Sequence, residues 1–258
     1  MSDQPLLNRR AFLGASAAGA ASVVLSACTG VDMGAGPLVV APEPALDYAS
    51  MYGPVTDEGY QLPAIPLAKI EQRFLRQMVD DPTGEKPGTI VVDTTSHFLY
   101  AVQPGGKAMR YGVSLGKAGF GWSGNAHIQW KKKWPTWTPP PEMIKRRPEL
   151  AKYSAENGGM PPGPQNPLGA RALYIFRDGK DTMYRLHGTP EWDSIGKNAS
   201  SGCVRLMNQD VVDLYTRVPG KTPIIVRAAA GSQMTATSTG APGMAIDAGV
   251  PRDAEQLL

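Results

Sequence analysis

The chain has 258 residues, 42% of them apolar, which is enough for one sizeable hydrophobic core with flanking segments. Its formal net charge is only +3 and its longest basic run covers residues 131–133, which argues against a nucleic-acid-binding protein. The 29 glycines and 24 prolines interrupt the chain too often for long helices, so we expect mainly strands and loops.

The N-terminus has the features of an export signal. Arg9 and Arg10 directly precede an apolar run, rich in Ala, Gly and Ser, that reaches Ala27. This pattern is typical of a Tat-type signal peptide over residues 1–28. A transmembrane anchor is the alternative, but the run is at the short limit for spanning a bilayer and poor in Leu, Ile and Phe. We therefore expect export to the periplasm or cell envelope.

The end of this run resembles a bacterial lipoprotein box, with Leu-Ser-Ala-Cys at residues 25–28. We expect Cys28 to be lipidated and to anchor the chain to a membrane; the alternative is cleavage near Ala27 to give a soluble protein. The sequence has two cysteines, so Cys203 would be the only remaining thiol that is not lipidated. A lone thiol in an oxidising compartment is expected to be either buried or used in chemistry.

Composition divides the rest of the chain into three parts. Residues 29–60 are rich in Gly, Pro and Ala and predict a flexible linker. Residues 61–227 predict the folded domain, with its core at 88–227. Residues 228–258 contain few large apolar side chains, so we expect a disordered tail.

The predicted elements of the domain follow in chain order. Apolar residues spaced three and four apart predict a short helix over 67–79. Two β-rich runs joined by a polar turn predict a first hairpin, an alternating segment predicts a third strand, and residues 116–167 predict long loops with a short helix. A second hairpin then leads to His187, followed by a brief helix and a closing strand. The first hairpin joins 89–93 to 98–102, the third strand covers 109–115, and the short helix covers 142–149. The second hairpin joins 172–176 to 182–186, the brief helix covers 211–218, and the closing strand covers 223–227.

Residues 200–205, Ser-Ser-Gly-Cys-Val-Arg, contain the parts that a nucleophilic cysteine needs. Gly202 allows close approach of a substrate, and the backbone N–H groups of Gly202 and Cys203 are candidate oxyanion donors. Arg205 could hold a substrate carboxylate or fix the loop. His187 ends a predicted strand 16 residues earlier (203 − 187) and is the candidate base, provided that the fold brings the two together.

Plainer interpretations of these residues stay open at this point. A cysteine after a glycine is most often a small buried residue, and a solitary histidine is usually a surface or core residue. A metal site is disfavoured because the chain has three histidines and no second mature cysteine at ligand spacing. His97 and His127 have no visible partner in the sequence. We expect neither a metal nor a cofactor.

Two motifs together resemble the signature of the L,D-transpeptidases of the YkuD-like family. They are Leu-His-Gly-Thr at 186–189 and Ser-Ser-Gly-Cys-Val-Arg at 200–205. Asn-Pro-Leu-Gly-Ala at 166–170, Ile-Gly at 195–196 and Asp210 also match the family's habit. The similarity covers residues 88–227.

The resemblance implies a mostly β fold, curved and β-sandwich-like, with short helices and long loops. Cys203 and His187 would meet at one end of the sheet, and Cys203 would form an acyl-thioester with a peptidoglycan stem peptide. His187 would transfer protons while the carbonyl of Gly188 orients its imidazole. Ser200, Ser201, Gly202 and Arg205 would shape the oxyanion pocket and the turn. The resemblance also implies acylation of Cys203 by carbapenem-type β-lactams.

The acceptor that resolves the thioester is left open by the sequence. An amine of a neighbouring stem would give a crosslink, water would give an L,D-carboxypeptidase, and a protein amine would attach an envelope protein to peptidoglycan. A catalytically idle wall-binding module is the rival from another class. A papain-like protease is disfavoured because its cysteine precedes its histidine in the chain.

The sequence departs from the family in two places. Many members have His where this chain has Ser201, and residues 117–123 replace a Thr-Pro-rich turn, so substrate contacts there cannot be carried over. Four tryptophans at 122, 130, 134 and 137 pack a long loop or line the cleft, and the packing role is favoured for any one of them. Trp192, between the two motifs, is the better candidate for a substrate contact.

Overall fold

The structure, a computed structural model, describes residues 46–116, 123–200 and 202–228, without the side chain of Ser200. The expected signal peptide at 1–28 with its lipidation site Cys28, the first part of the expected linker, and the tail after residue 228 lie outside the described residues. Ser201 and residues 117–122 lie outside them as well.

The described residues form a mostly β fold, as the sequence predicted. Its main element is a nine-stranded mixed sheet in the order β12-β10-β9-β8-β13-β4-β5-β6-β3, beside the two-stranded sheets β1-β2 and β11-β7. The strands are β1 (Val55–Asp57), β2 (Tyr60–Leu62), β3 (Gln77–Asp80), β4 (Ile90–Asp93), β5 (Phe98–Gln103), β6 (Lys107–Gly112), β7 (Leu115–Gly116), β8 (Gly124–Lys133), β9 (Arg171–Arg177), β10 (Lys180–Thr189), β11 (Asn198–Ser200), β12 (Val204–Met207) and β13 (Thr222–Arg227); the helices are α1 (Tyr48–Met51), α2 (Pro141–Arg146) and α3 (Asn208–Arg217).

Both faces of the central strands are buried, which explains their nearly continuous apolar sequences. On β4, Ile90 and Val92 face the larger core cluster, which α3 covers with Val211 and Leu214. Val91 faces a second cluster on the opposite side of the sheet. The side chains therefore alternate between two cores rather than between a core and solvent.

The sheet curls until its β12 edge meets the segment after β6. Ser114 and Arg205 form an isolated antiparallel bridge, with both N–H···O distances at 2.9 Å. One residue further on, β7 pairs with β11 in parallel. This closure brings Ser114, β11 and β12 together at one end of the sheet.

Residues 46–60 correct the predicted flexible linker, because they fold onto the domain. Tyr52 is buried, and its hydroxyl donates a 2.8 Å hydrogen bond to Asp210 of α3. Together with Ile65, Phe74 and Leu75 it packs on the second face of the sheet. Tyr52, in a Gly- and Pro-rich stretch, thus contacts a residue 158 positions further along the chain. Composition alone does not reveal such a long-range contact.

The predicted helix over 67–79 is also wrong. The segment contains 3₁₀ turns at Leu67–Lys69 and Gln72–Phe74, followed by the edge strand β3. Phe74 lies so close to the sheet that a Cβ at Gly112, the last residue of β6, would come within 2.7 Å of the Cβ of Phe74. Pairing of β3 with β6 and the docking of Phe74 override the helical spacing of the apolar residues.

The loop predicted over 116–167 contains the ten-residue strand β8, which pairs with both β9 and β13. Of its side chains only Ile128 is buried, so the strand lacks the apolar alternation that would have identified it. The two predicted hairpins are confirmed as β4-β5 and β9-β10, and the closing strand as β13. Among the described residues, no helix is long and apolar enough to cross a membrane.

Candidate active site

The register of β10 and β12 places four sequence-distant polar side chains on one face of the sheet. These strands are parallel, with Leu186 opposite Val204 and His187 opposite Arg205. Leu186, Val204 and Leu206 belong to the larger core. Because side chains alternate along a strand, Arg185, His187 and Arg205 lie on the opposite face. Cys203 directly precedes β12 and joins them there, because its thiol hydrogen-bonds the backbone of Arg185.

A stacked row of side chains leads across this face to Cys203. Trp130 on β8 stacks on Tyr174 of β9, with ring centroids 3.6 Å apart. The guanidinium of Arg185 lies 4.2 Å from the Tyr174 centroid, and the backbone of Arg185 hydrogen-bonds Cys203. Trp130 therefore serves as the outer layer of this stack rather than as loop packing.

Arg185 is buried and is paired with Asp181, a carboxylate at the surface. Only 2% of its side chain is exposed, and its Nη1 lies 2.6 Å from Oδ1 of Asp181; Nη2 lies 2.7 Å from Oδ2 of the same carboxylate. A bidentate pair of this kind fixes the guanidinium in one orientation. The positive charge of Arg185 consequently has a defined position beside both Cys203 and His187.

The imidazole of His187 has a defined tautomer. Its Nδ1 lies 2.6 Å from the carbonyl oxygen of Gly188, which can only accept, so Nδ1 carries the hydrogen and Nε2 keeps its lone pair. The carbonyl is the one for which the resemblance implied an orienting role. The side chain is therefore prepared to accept a proton at Nε2.

Both reactive groups are held in their neutral forms. Burial, with the nearby charges of Arg205 and Arg185, lowers the pKa of His187 to about 3 although the bond to Gly188 opposes the shift. Burial raises the pKa of the Cys203 thiol, against the backbone hydrogen bond and the charge of Arg185. A preformed thiolate–imidazolium pair is thus disfavoured.

The turn before Cys203 needs glycine at position 202. Gly202 has a φ of 144°, and a Cβ there would lie 3.3 Å from the ring of Tyr184. Cys203 itself is a buried thiol, 5% exposed. Of the other predicted pocket residues, Ser200 is placed only by its backbone in β11, and Ser201 lies outside the described residues.

Two motif glycines make room for Asn208, the first residue of α3. A Cβ at Gly188 would lie 2.3 Å from Oδ1 of Asn208, and one at Gly169 would lie 2.2 Å from it. That oxygen accepts a 2.9 Å hydrogen bond from the backbone of Ala170. Asn208 therefore fastens the 166–170 motif to the strand that carries His187 and Gly188.

Arg205 forms an ion pair with a loop residue, whereas Trp192 lines a cavity. The guanidinium of Arg205 lies 2.7 Å from Glu191, which supports the loop-fixing interpretation. Trp192 follows in a 3₁₀ turn and lines a cavity beyond His187. His97 and His127 contact Asn198 and Gln129 respectively.

Sequence reasoning missed Arg185, Asn208 and Tyr184. Arg185 stands two residues before His187, so strand periodicity would have placed it on the same face. Asn208 offers no such signal, because its role depends on two distant glycines. Within the described ranges, no group of three or more His, Cys, Asp or Glu side chains is arranged to hold a metal ion.

Comparison with known families and proteins gives a consistent assignment. The family model for the YkuD L,D-transpeptidase catalytic domain matches residues 87–226. "Probable L,D-transpeptidase ErfK/SrfK" of Escherichia coli (strain K12) is 34% identical over 142 residues, which are 52% of this chain and 42% of that protein. "Probable L,D-transpeptidase YbiS" of the same strain is 40% identical over 101 residues, covering 38% of this chain and 29% of that protein. The chain thus matches less than half the length of these relatives.

Two solved structures are also similar. A Brucella melitensis protein described as "Probable carnitine operon oxidoreductase caia" is 46% identical, covering 60% of this chain and 94% of that one, with a TM-score of 0.42. An L,D-transpeptidase from Mycobacterium smegmatis is 23% identical, covering 54% and 58%, with a TM-score of 0.40. These TM-scores are too low for the superpositions to support an argument about function.

Proposed function

Since the chain belongs to the YkuD family of L,D-transpeptidase catalytic domains, we propose that it is a cysteine-dependent L,D-transpeptidase that crosslinks peptidoglycan stem peptides. The observation that carries the proposal is the face shared by Cys203 and His187. A buried thiol directly precedes β12, which pairs in parallel with the strand of His187, and the Nδ1 of that imidazole is bound to Gly188, leaving Nε2 as base. No cofactor or metal takes part in the proposed reaction.

In the first half of the reaction, Sγ of Cys203 attacks the carbonyl carbon of the L,D-amide between the third and fourth stem residues. As the C–S bond forms, the thiol proton passes to Nε2 of His187. The oxyanion is stabilised by the N–H groups of Gly202 and Cys203, with Ser200 and Ser201 shaping the surrounding pocket. The C–N bond then breaks, and the terminal D-alanine leaves as an amine after taking the proton from His187.

In the second half, an amine of a neighbouring stem attacks the thioester carbonyl. His187 accepts the amine proton, the C–S bond breaks, and the sulfur of Cys203 recovers a proton. The new amide is the crosslink. The neutral state of both groups supports this shuttle, because His187 alternates between neutral and protonated forms only during the two displacement steps.

We also propose where the enzyme works. The twin arginines and the lipobox-like residues 25–28 support Tat-type export to the periplasm or cell envelope and a lipid anchor at Cys28. Residues 29 to about 45 would connect the anchor to the folded domain, which begins near residue 46 rather than 61. Incorporation of labelled palmitate that is lost in Cys28→Ala would support the anchor, and an unlabelled wild-type chain would exclude it.

The function is tested by mass spectrometry of the products formed from purified tetrapeptide muropeptides. We expect dimers with loss of D-alanine from the wild-type chain and none from Cys203→Ala, with His187→Ala reduced by at least about a hundredfold. Cys203-dependent tripeptide without dimers would assign an L,D-carboxypeptidase. Turnover that persists in Cys203→Ala would exclude the mechanism, and an unreacted substrate would favour a protein acceptor or a binding role.

A second readout follows the nucleophile directly. A carbapenem should add its mass to the wild-type chain and not to Cys203→Ala. An unchanged wild-type mass after incubation would count against Cys203 as the nucleophile.

A further inference from the structure

Arg185 carries a buried positive charge beside the proposed nucleophile. Its side chain is 2% exposed, whereas the side chain of its partner Asp181 is 31% exposed. Removing a guanidinium from water is unfavourable, and replacing a buried ion pair by apolar side chains is often neutral or stabilising. Stability alone therefore does not account for a charge at this position.

The guanidinium of Arg185 is held in one position by contacts on several sides. Nη1 and Nη2 bind the carboxylate of Asp181 at 2.6 and 2.7 Å, and Nη1 also donates to the carbonyl oxygen of Tyr184 at 2.9 Å. The centroid of the Tyr174 ring lies 4.2 Å from the guanidinium carbon, and Trp130 stacks on that ring. A charge fixed in this way stabilises a neighbouring charge without first having to reorient.

The backbone of Arg185 contacts the sulfur of Cys203. In the parallel pair of β10 and β12, Leu186 lies opposite Val204. Arg185 is consequently the neighbour of Cys203, and its backbone hydrogen-bonds the thiol in a way that favours the thiolate. A hydrogen bond has this effect when an N–H group donates it to the sulfur. The same residue thus supplies both a contact to the sulfur and a fixed positive charge.

The charges around the sulfur favour its anionic form. Burial raises the pKa of the Cys203 thiol, and the hydrogen bond and charge of Arg185 are the largest opposing effects. The charge of Arg205 opposes the rise less strongly, and that of Asp181 adds to it least. Because the effect of Arg185 exceeds that of Asp181, their ion pair presents its positive end to the sulfur. Arg205 is in addition paired with Glu191 at 2.7 Å.

The charge of Arg185 also acts on the base. Burial, Arg205 and, more weakly, Arg185 lower the pKa of His187 to about 3. A protonated His187 would therefore release its proton readily to the leaving amine. Tyr184, which follows Asp181 on the same strand, is neutral near pH 7, because burial and the charge of Cys203 raise its pKa.

We propose that Arg185 is a positioning residue of the reaction: its backbone holds the sulfur of Cys203, and its guanidinium, fixed by Asp181, stabilises the negative charge of that sulfur. This charge arises when the thiol loses its proton and again when the C–S bond breaks. The role in turnover rests on the proposed function, whereas the effect on the thiol is independent of substrate and acceptor.

The test follows the reaction of Cys203 with iodoacetamide in the full chain. Iodoacetamide alkylates the thiolate, so the rate at a given pH reports the thiolate fraction, measured by mass spectrometry of the peptide that contains Cys203. We expect Arg185→Met to lower the rate at neutral pH about tenfold and to move the pH profile to higher pH. Asp181→Asn keeps an oxygen for the guanidinium but removes the negative charge, so it should raise the rate about threefold and move the profile to lower pH.

The opposite signs separate this role from a purely structural one. Both substitutions disrupt the same ion pair, so a loss of order would change the two rates in the same direction. Arg185→Lys keeps the charge and should stay closer to the wild-type rate than Arg185→Met does. Arg177→Met is the matched control, because the Arg177 side chain is 51% exposed and pairs with Asp178; its rate should stay within about twofold of wild type. Thermal denaturation identifies any variant that fails to fold, in which case the remaining variants decide.

A lower rate in both Arg185→Met and Asp181→Asn would overturn the proposal, as would rates that neither substitution changes. Cys203 that is labelled in none of the proteins would overturn it too, because no reactive sulfur anion would then be available.

Turnover of the tetrapeptide is measured on the same proteins. Arg185→Met should lower kcat about tenfold and change KM less than about threefold, since the charge acts on the sulfur rather than on substrate binding. The expected labelling without turnover by the wild type would remove the proposed function and leave the effect on the thiol standing. Turnover with labelling that the variants do not change would remove the role of Arg185 alone.

Discussion

At the scale of single residues, the surroundings of His187 determine the pH range of the proposed reaction. An ordinary histidine, with a pKa of about 6.5, would be mostly protonated at pH 5 and unable to act as base. The pKa of His187 is lowered to about 3 by burial and two arginines. The base form therefore persists through the whole mildly acidic range.

We accordingly expect kcat/KM for the tetrapeptide to change less than about threefold between pH 8 and pH 5. The rate is measured as D-alanine release in buffers of constant ionic strength. A loss of tenfold or more with a midpoint near pH 6.5 would mean that His187 titrates normally and that its environment is more polar than the structure indicates.

A second residue-scale prediction concerns Gly188. In Gly188→Ala the new Cβ would press on Asn208 at 2.3 Å, and either Asn208 or the His187 strand would have to move. We expect a loss of about 1–3 kcal/mol in the free energy of unfolding and at least about tenfold in turnover. Gly220→Ala is the control, since its Cβ would meet only Gln129 O at 3.9 Å. The two variants are compared by urea denaturation and by the rate of D-alanine release. Equal free energies of unfolding and equal rates would refute the role of the close approach between Gly188 and Asn208.

At the scale of elements, α3 joins the N-terminal segment to the sheet through a buried carboxylate. Asp210, in the first turn of α3, accepts from Tyr52 and lies 3.6 Å from Arg76. Burial nevertheless outweighs both partners and raises the pKa of Asp210 to about 7. The neighbouring Asp213 shows the opposite shift: its pKa is lowered, by hydrogen bonds from Arg217 and Tyr111, despite the opposing effect of burial.

The raised pKa of Asp210 predicts a particular dependence of stability on pH. Between about pH 4 and pH 7 the folded chain keeps a proton on Asp210 that the unfolded chain releases, so the free energy of unfolding falls as pH rises. From pH 5 to pH 8 we expect wild type to lose on the order of 2 kcal/mol relative to Asp210→Asn. Asp213→Asn is the control: it retains Asp210, and the pKa of Asp213 is lowered, so this variant should keep most of the wild-type slope in this range. Parallel wild-type and Asp210→Asn curves from thermal denaturation would contradict the shift.

The sequence predicted the elements whose signal is local. Residues 90–93 and 98–103 form a hairpin because β-branched and aromatic side chains flank a polar turn. Strand β8 was missed because its polar side chains owe their conformation to β9 and β13, which lie far away in the chain. Likewise, the motifs identified Cys203 and His187, but Arg185 and Asn208 acquire their roles from strand register and from two distant glycines.

At the scale of the whole molecule, the described domain is larger than the family domain that it contains. Tyr52, Ile65, Phe74 and Leu75 cover the second face of the sheet, including Val91 and Met207. Each such buried side chain contributes roughly 1.5–3 kcal/mol, and the whole net stability of a domain is about 5–15 kcal/mol. The family domain without this segment would therefore be close to the limit of stability.

We expect residues 87–228 expressed alone to melt at least about 10 °C below residues 46–228. Differential scanning calorimetry of the two proteins tests this, with a mixture of residues 87–228 and a synthetic peptide of residues 46–86 as a rescue control. Equal melting temperatures would show that the segment contributes little to the fold and is retained for another reason.

The bridge between Ser114 and Arg205 has a consequence for how a peptide can approach the nucleophile. Many proteins recognise extended peptides by β-augmentation, in which the ligand adds a strand to an exposed sheet edge. At Arg205 the outward N–H and C=O of β12 are already paired with Ser114, so this edge is closed two residues after Cys203. In the proposed reaction, a stem peptide would therefore be recognised through its side chains and amides by pockets, and not by main-chain pairing with β12 at Arg205.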